Sequence, residues 1–311
     1  MEKIIDVENL KKTFTNGRQK TQAIKGMSFF VNKGEIFGLL GPNGAGKTTT
    51  LEIIEGLKKQ TEGTVKVLGF DNLTQAEEIK KHIGVQLQSS DYLPYLTLVE
   101  LLNLFASLYK GSAKPNDHIT LLKSVNLEKK QNEQVKNLSG GQKQRFTIAT
   151  SLVHNPKVLF LDEPTTGLDP SARRDLWKLI KYLNEQGITI VLTTHYMEEA
   201  EYLCSRVAIM DQGQILETDE PKNLIDKISK TTQISFLTNS PLNENIFKNL
   251  PEIEKIYTHL PKIIIEIKSL DHISTVIDIL KNNKVEFSGF TVKTASLEDV
   301  YLDLTGKEYQ Q

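Results

Sequence analysis

Gly41-Pro42-Asn43-Gly44-Ala45-Gly46-Lys47-Thr48 reads G-x-x-x-x-G-K-T and follows the apolar run Ile36-Phe37-Gly38-Leu39-Leu40. A strand that turns into a helix through such a loop aims several backbone N–H groups at one point. The helix N-terminus adds partial positive charge there, and Lys47 adds a full one. That point suits a di- or triphosphate. Gly44 and Gly46 permit dihedrals and close approaches that a Cβ would block. Thr48 offers a hydroxyl to Mg²⁺. The stretch decides for an α/β fold that binds a nucleotide, and alone it says nothing of the task.

The rest of the chain narrows the field. Its 311 residues, 39% hydrophobic and 25% charged, suffice for two domains with a large core. A net charge of −1 implies no basic surface, so nucleic acid is not expected as a main partner. The single cysteine, Cys204, excludes an internal disulfide and fits a reducing compartment; its simplest role is that of a small buried apolar residue. The first residues, Met1 to Asp6, lack the apolar core of a signal peptide. No apolar run approaches the ~18 residues of a membrane span, so any crossing of a membrane is expected to fall to another chain.

Working outward, Ile4–Phe14 and Ala23–Val31 read as paired strands around the turn Thr15-Asn16-Gly17-Arg18, an antiparallel sheet placed before the phosphate loop. The helix after Lys47 ends near Gly56, and Gly63–Leu68 is a short strand. Thr74 with Glu77 predicts a capping box and a helix that stops at Gly84. Residues 90–155 read as a helical insert. In it, Thr97-Leu98-Val99-Glu100 is a second capping box, and the Lys- and Glu-rich stretch near 128–136 reads as solvated helix faces. Val158-Leu159-Phe160-Leu161, apolar throughout, predicts a central parallel strand covered on both faces. A helix after Pro170 places Leu176, Leu179, Ile180 and Leu183 on one face, with Trp177 near it, and stops at Gly187. Ile188–Leu192 is the next strand, and Arg206–Met210 with Gln214–Leu216 forms a hairpin.

After about residue 222 the order becomes β-α-β-β-α-β. Strands fall near 233–237, 255–258, 263–267 and 286–292, and helices near 243–249 and 272–281. This suits a small split βαβ domain. A last amphipathic helix spans 297–304. The expected domains are therefore 1–222 and 223–311.

Two further stretches carry chemistry. Asp162-Glu163 ends the central strand, where an Asp can hold Mg²⁺ through water and the adjacent Glu can polarise a water facing the terminal phosphate. Leu138-Ser139-Gly140-Gly141-Gln142 opens a helix with Ser139 as N-cap. Two glycines in a first turn cost about 1 kcal/mol each against alanine. The cost makes sense if bare backbone must press on a ligand. This second phosphate-binding helix end has no lysine of its own, so it can serve a nucleotide held elsewhere.

With these motifs in this order, residues 1 to about 220 resemble the nucleotide-binding subunit of an ATP-binding cassette (ABC) transporter. The resemblance implies a P-loop NTPase of ABC type, with a mixed sheet core, an antiparallel β subdomain and a helical insert at about 90–155, followed by a small C-terminal α+β domain. It implies ATP and Mg²⁺ as cofactors. The nucleotide would lie on Gly41, Pro42, Asn43, Gly44, Ala45, Gly46, Lys47, Thr48 and Thr49, with Phe14 stacked on adenine where the family commonly has Tyr. Thr48, Gln88 and Asp162 would surround the metal, with Gln86 a nearby rival for the sensing glutamine. Glu163, His195 and Lys47 would be catalytic. Ser139, Gly140, Gly141 and Gln142, with Asp169 of Gly167-Leu168-Asp169, would complete the site of a second copy in a head-to-tail dimer. Ser296-Leu297-Glu298-Asp299-Val300-Tyr301 through Gly306 resembles the tail of cassette subunits from drug, bacteriocin-immunity and sodium exporters. That points to an ATPase on the cytoplasmic face of a bacterial membrane, powering a separate membrane-spanning permease. The alternative is a soluble cassette ATPase acting on ribosomes or DNA. Such proteins usually carry two cassettes or a long coiled coil; this chain has one cassette and no heptad run.

Overall fold

A computed structural model describes residues 2–17, 19–86, 92–109, 117–228, 232–238, 243–247, 250–268 and 270–306. The chain divides near Pro221 into two compact units.

The first unit opens with the antiparallel pair β1 (Lys3–Asn16) and β2 (Gln19–Asn32). It continues through β3 (Ile36–Leu40), α1 (Lys47–Ile54), β4 (Glu62–Val67), β5 (Phe70–Asp71), α2 (Ala76–Lys80) and β6 (Ile83–Gln86). The helical insert holds α3 (Leu98–Leu108), α4 (His118–Ser124) and α5 (Gly140–Ser151). The chain then returns through β7 (Val158–Asp162), α6 (Pro170–Glu185), β8 (Thr189–Thr194), α7 (Met197–Leu203), β9 (Arg206–Asp211) and β10 (Gln214–Asp219).

The central sheet runs β10-β9-β3-β8-β7-β6. All its pairs are parallel except the β9–β10 hairpin. Every residue of β3, β7 and β8 is buried, as strands covered on both faces require. A second sheet, β2-β1-β4-β5, is antiparallel. Between the two, Leu51, Ile53 and Ile54 of α1 are buried in one core with Ile5, Val7, Phe37 and Phe160. The helix behind the phosphate loop is thus fixed along its length by packing. In a close-packed interior that leaves its N-terminus little freedom to move.

The helix expected after Thr74 is corrected. Thr74 does not cap a helix running to Gly84. Its hydroxyl donates to Asp71 Oδ1 at 2.9 Å, and the same oxygen accepts from the amides of Leu73 and Thr74. α2 starts after Gln75 with no side-chain cap and is short. Ile83–Gln86 is instead β6, the edge strand beside β7. Gly84 lies inside that strand because a Cβ would meet Ser151 O at 2.3 Å.

In the insert, the Thr97–Glu100 capping box forms as read: Thr97 Oγ1 accepts from Glu100 N, and Glu100 Oε2 accepts from Thr97 N at 2.8 Å. The charged stretch near 128–136 is not a helix face. It holds two 3₁₀ turns, Glu128–Lys130 and Val135–Asn137, with Val135 buried.

At the division lies α8 (Pro221–Ile228). The second unit then holds β11 (Thr232–Leu237), β12 (Ile253–His259), β13 (Lys262–Ile267), α9 (Ile273–Asn282), β14 (Ser288–Thr294) and α10 (Leu297–Thr305). Its antiparallel sheet has the order β12-β13-β11-β14, the split βαβ arrangement. Ile234, Phe236, Ile263 and Ile265 pack there on Val276 and Leu280 of α9. The helix expected near 243–249 is, among the described residues, a single 3₁₀ turn, Glu244–Phe247.

Candidate nucleotide site

β3, β8 and β7 are neighbours, so the segments leaving their C-terminal ends meet at one edge of the sheet. β3 runs into the phosphate loop, β7 ends on Asp162 with Glu163 next, and β8 ends on Thr194 with His195 next. In open parallel sheets this edge is where ligands gather.

The loop is built from its glycines. Gly46 is the N-cap of α1 at φ 100°, ψ 6°, with no side-chain cap over the first turn and no acid in it. A Cβ on Gly41 would lie 2.3 Å from Met210 O. Gly41 N donates to Thr194 O at 3.3 Å, tying the loop to the segment that carries His195. Side chains at both positions would push the loop off the sheet edge.

Lys47 is 4% exposed. Its ammonium donates to Gly41 O at 2.8 Å and Pro42 O at 3.2 Å, and pairs with Glu163 Oε1 at 3.3 Å. Burial pulls its pKa down, opposed by the Glu163 carboxylate and its hydrogen bond and by Asp162. An ammonium so desolvated, resting on carbonyls, is poised to accept a second anion.

Glu163 accepts more than that contact. Its Oε2 lies 3.1 Å from His195 Nδ1 and takes the Thr166 hydroxyl at 3.3 Å. Its backbone sits at φ 46°, a strained value for a non-glycine residue. The Glu163 amide donates to Thr193 O and to Thr193 Oγ1 at 3.0 Å. Thr193 is the register partner of Asp162, and its hydroxyl also donates to Asp162 Oδ1. Thr48 reaches the same Oδ1 at 3.2 Å. A hydroxyl and a buried carboxylate side by side form a hard oxygen donor set of the kind Mg²⁺ takes, usually retaining waters and substrate phosphates. These residues fit that ion. Nearby, burial and then the Asp162 and Glu52 charges raise the Glu55 carboxyl to about 8.

The remaining predicted residues are placed as follows. Phe14 is on β1 and 39% exposed, with Lys12 Nζ 4.9 Å and Lys58 Nζ 5.8 Å from its ring centroid. Pro42, Asn43, Gly44 and Ala45 complete the loop, and Thr49 lies in the first turn of α1. Gln88 falls outside the described residues. Its rival Gln86 ends β6, 1% exposed, with Oε1 lacking a partner among the described residues.

Ser139, Gly140, Gly141, Arg145, Asp169 and Asp175 line a separate groove of about 460 Å³ at the start of α5. Ser139 and Gln142 close a capping box on each other. Asp169 caps α6 through the amides of Ser171 and Ala172. Gln144, on the same helix, donates to Pro164 O at 2.6 Å, so α5 touches the loop that follows Glu163. A larger cavity, about 600 Å³, is lined by Pro156, Lys157, Gly187 and Thr189 at the N-terminal ends of β7 and β8, and holds none of these residues.

Sequence reasoning passed over Thr193, Thr166 and Glu199. Thr193 carried a usable signal. It lies two residues before His195 at the end of a strand and so shares its face.

Comparison with known proteins follows the same lines. Residues 24–166 match the family model described as ABC transporter. The linearmycin resistance ATP-binding protein of Bacillus subtilis (strain 168) is 34% identical, over 98% of this chain and 99% of that protein. The Nod factor export ATP-binding protein I of Burkholderia thailandensis is 37% identical, over 92% of this chain and 93% of that one. Among solved structures, a dimeric ATP-binding cassette in a post-hydrolysis state bound to ADP and phosphate superposes with a TM-score of 0.62. It is 31% identical, over 70% of this chain and 98% of that chain.

Proposed function

The chain belongs to the ABC transporter ATP-binding family, and from that premise we propose that it hydrolyses ATP to drive an export system through a separate membrane-spanning partner. It is an ATPase subunit with an α/β cassette fold. The observation that carries the reading is the convergence of Lys47, Asp162, Glu163 and His195 on neighbouring strand ends. The names of the relatives, linearmycin resistance and Nod factor export, support export as the direction. Among the described residues no helix is long and apolar enough to cross a membrane, which fits a subunit held at the cytoplasmic face of a membrane by its partner. The helix beginning after Thr97 is the proposed route to that partner, together with Gln88, which lies outside the described residues. α3 is 11 residues long, and among the described residues the insert holds no long coiled coil of the kind that ribosome- or DNA-acting cassettes use.

The roles follow from chemistry. Lys47 and the loop amides hold the β- and γ-phosphates. Phosphate oxygens compete with Glu163 for the Lys47 ammonium, and so release the Glu163 carboxylate toward water. Glu163 then orients or deprotonates that water, with His195 positioning it against the γ-phosphate. Thr48 and Asp162, with Gln88, would hold Mg²⁺, which neutralises charge on the transferring phosphate. Phe14 stacks on the adenine. Ser139, Gly140 and Gly141, with Gln142 and Asp169 behind them, complete the site of a second copy. We expect Glu163→Gln to bind ATP as the wild type does and to lose steady-state turnover by at least about 100-fold. Full turnover in that variant removes Glu163 from its role.

A further inference from the structure

Glu199 is fully buried, on α7, one turn after His195. Its Oε1 accepts the indole N–H of Trp177 at 2.8 Å. Around the carboxyl stand groups from each segment that handles the reaction. Thr165 belongs to the loop two residues after Glu163. Thr194 precedes His195; its carbonyl accepts from the Gly41 amide, and its hydroxyl accepts from Tyr196 N at 2.9 Å. Arg173, on α6, lies with its guanidinium over the Tyr196 ring at 4.2 Å.

The cluster is only half satisfied. Glu199 Oε2, Thr165 Oγ1 and Arg173 Nε are all buried with no hydrogen-bond partner among the described residues. Burial pushes the Glu199 carboxyl up, against the nearby Thr194, Trp177 and Thr165 groups and the Arg173 charge. The Thr194 and Thr165 hydroxyls thus face the carboxyl, while Oε2 itself has no fully formed hydrogen bond among the described residues. Buried polar groups are seldom left so. The loop that carries Thr165 begins at Glu163, whose side chain is tied to Lys47 and His195.

We propose that Glu199 is a positioning residue for ATP hydrolysis: its carboxyl, anchored on Trp177, holds the loop after Glu163 and the turn bearing His195 in one register. This rests on the reading of Glu163 and His195 given above. The role needs a hydrogen-bonding side chain of that shape rather than a charge, so glutamine can fill it and alanine cannot.

The test compares kcat, KM for ATP, ATP affinity and melting temperature for the purified full chain and its Glu199→Ala, Glu199→Gln and Thr165→Val variants. Small misplacements at a reacting centre cost up to about 100-fold. Glu199→Ala is therefore expected to lower kcat by about tenfold or more at unchanged KM and ATP affinity. Glu199→Gln should recover kcat to within about threefold of wild type, and Thr165→Val should lower kcat severalfold without moving KM. An unchanged kcat in Glu199→Ala overturns the proposal, as does a parallel loss of kcat, affinity and melting temperature, or a Glu199→Gln no better than alanine. Should Glu199→Ala fail to fold, Thr165→Val decides, and wild-type kcat there overturns the proposal. Glu163→Gln run alongside separates the two failures. If it is inactive while Glu199→Ala is normal, only the positioning role falls. If it stays active, the reading of the site itself falls.

Discussion

Two helix N-termini in the first unit carry glycine-rich turns, and they are built differently. α1 begins with Gly46 in a left-handed conformation, has no side-chain cap, and is followed at once by a buried lysine. α5 begins with Ser139, which caps Gln142 N and is answered by Gln142 Oε1 on its own amide. The first end leaves its amides uncapped and adds a cation, so it can hold a phosphate alone. The second is satisfied within its own chain and, among the described residues, has no buried cation beside it. It can contribute only where another group has already brought the phosphate. On the function proposed above, one chain would hold a binding half and a completing half, and the difference predicts which defects abolish binding and which spare it.

The largest effect is expected at the first end. Lys47→Ala removes the only full charge of the loop from a desolvated site, and charged hydrogen bonds of this kind are worth about 1.5–3 kcal/mol. ATP affinity should fall by roughly 10- to 100-fold, measured by titration calorimetry; unchanged affinity would break the comparison at its stronger side. The second end should respond in turnover alone. A Cβ on Gly140 meets nothing within 4 Å, whereas one on Gly141 would lie 3.0 Å from Ala172 Cβ. Gly140→Asp is thus expected to keep its melting temperature and its ATP affinity as a single chain. Hydrolysis should drop by about tenfold or more, since a like charge set against phosphate costs several kcal/mol. A loss of single-chain ATP affinity in Gly140→Asp would merge the two ends into one site.

The same contrast explains what could be read from the sequence. The phosphate loop, Asp162-Glu163 and the Ser139 turn were legible because each is contiguous, and its backbone geometry is set by its own residues. Thr97 and Thr74 both looked like capping boxes. Thr97 forms one because its hydroxyl meets only the Glu100 it caps, donating to Oε2 at 2.9 Å and accepting from the amide, while Asp71, three residues earlier, captures that of Thr74. β6 was hidden by its four residues and by Gly84, whose reason for being glycine is the backbone of α5, far away in the chain. Thr193 could have been found from its spacing to His195, whereas Glu199 meets Trp177 through the packing of two helices, which no local pattern encodes. Trp177 read as plain packing, and it does pack, but its indole N–H is also the anchor of Glu199.

The division into a binding half and a completing half is tested most directly by the mass of the Glu163→Gln chain in solution with and without ATP. Hydrolysis is blocked in that variant, so a nucleotide held by Lys47 of one copy should stay clamped by the Ser139 turn of another. Sedimentation is expected to show the 35.1 kDa chain without nucleotide and a species of twice that mass with saturating ATP, reverting when Gly140→Asp is added. A chain that binds ATP stoichiometrically and remains at 35.1 kDa would contradict it.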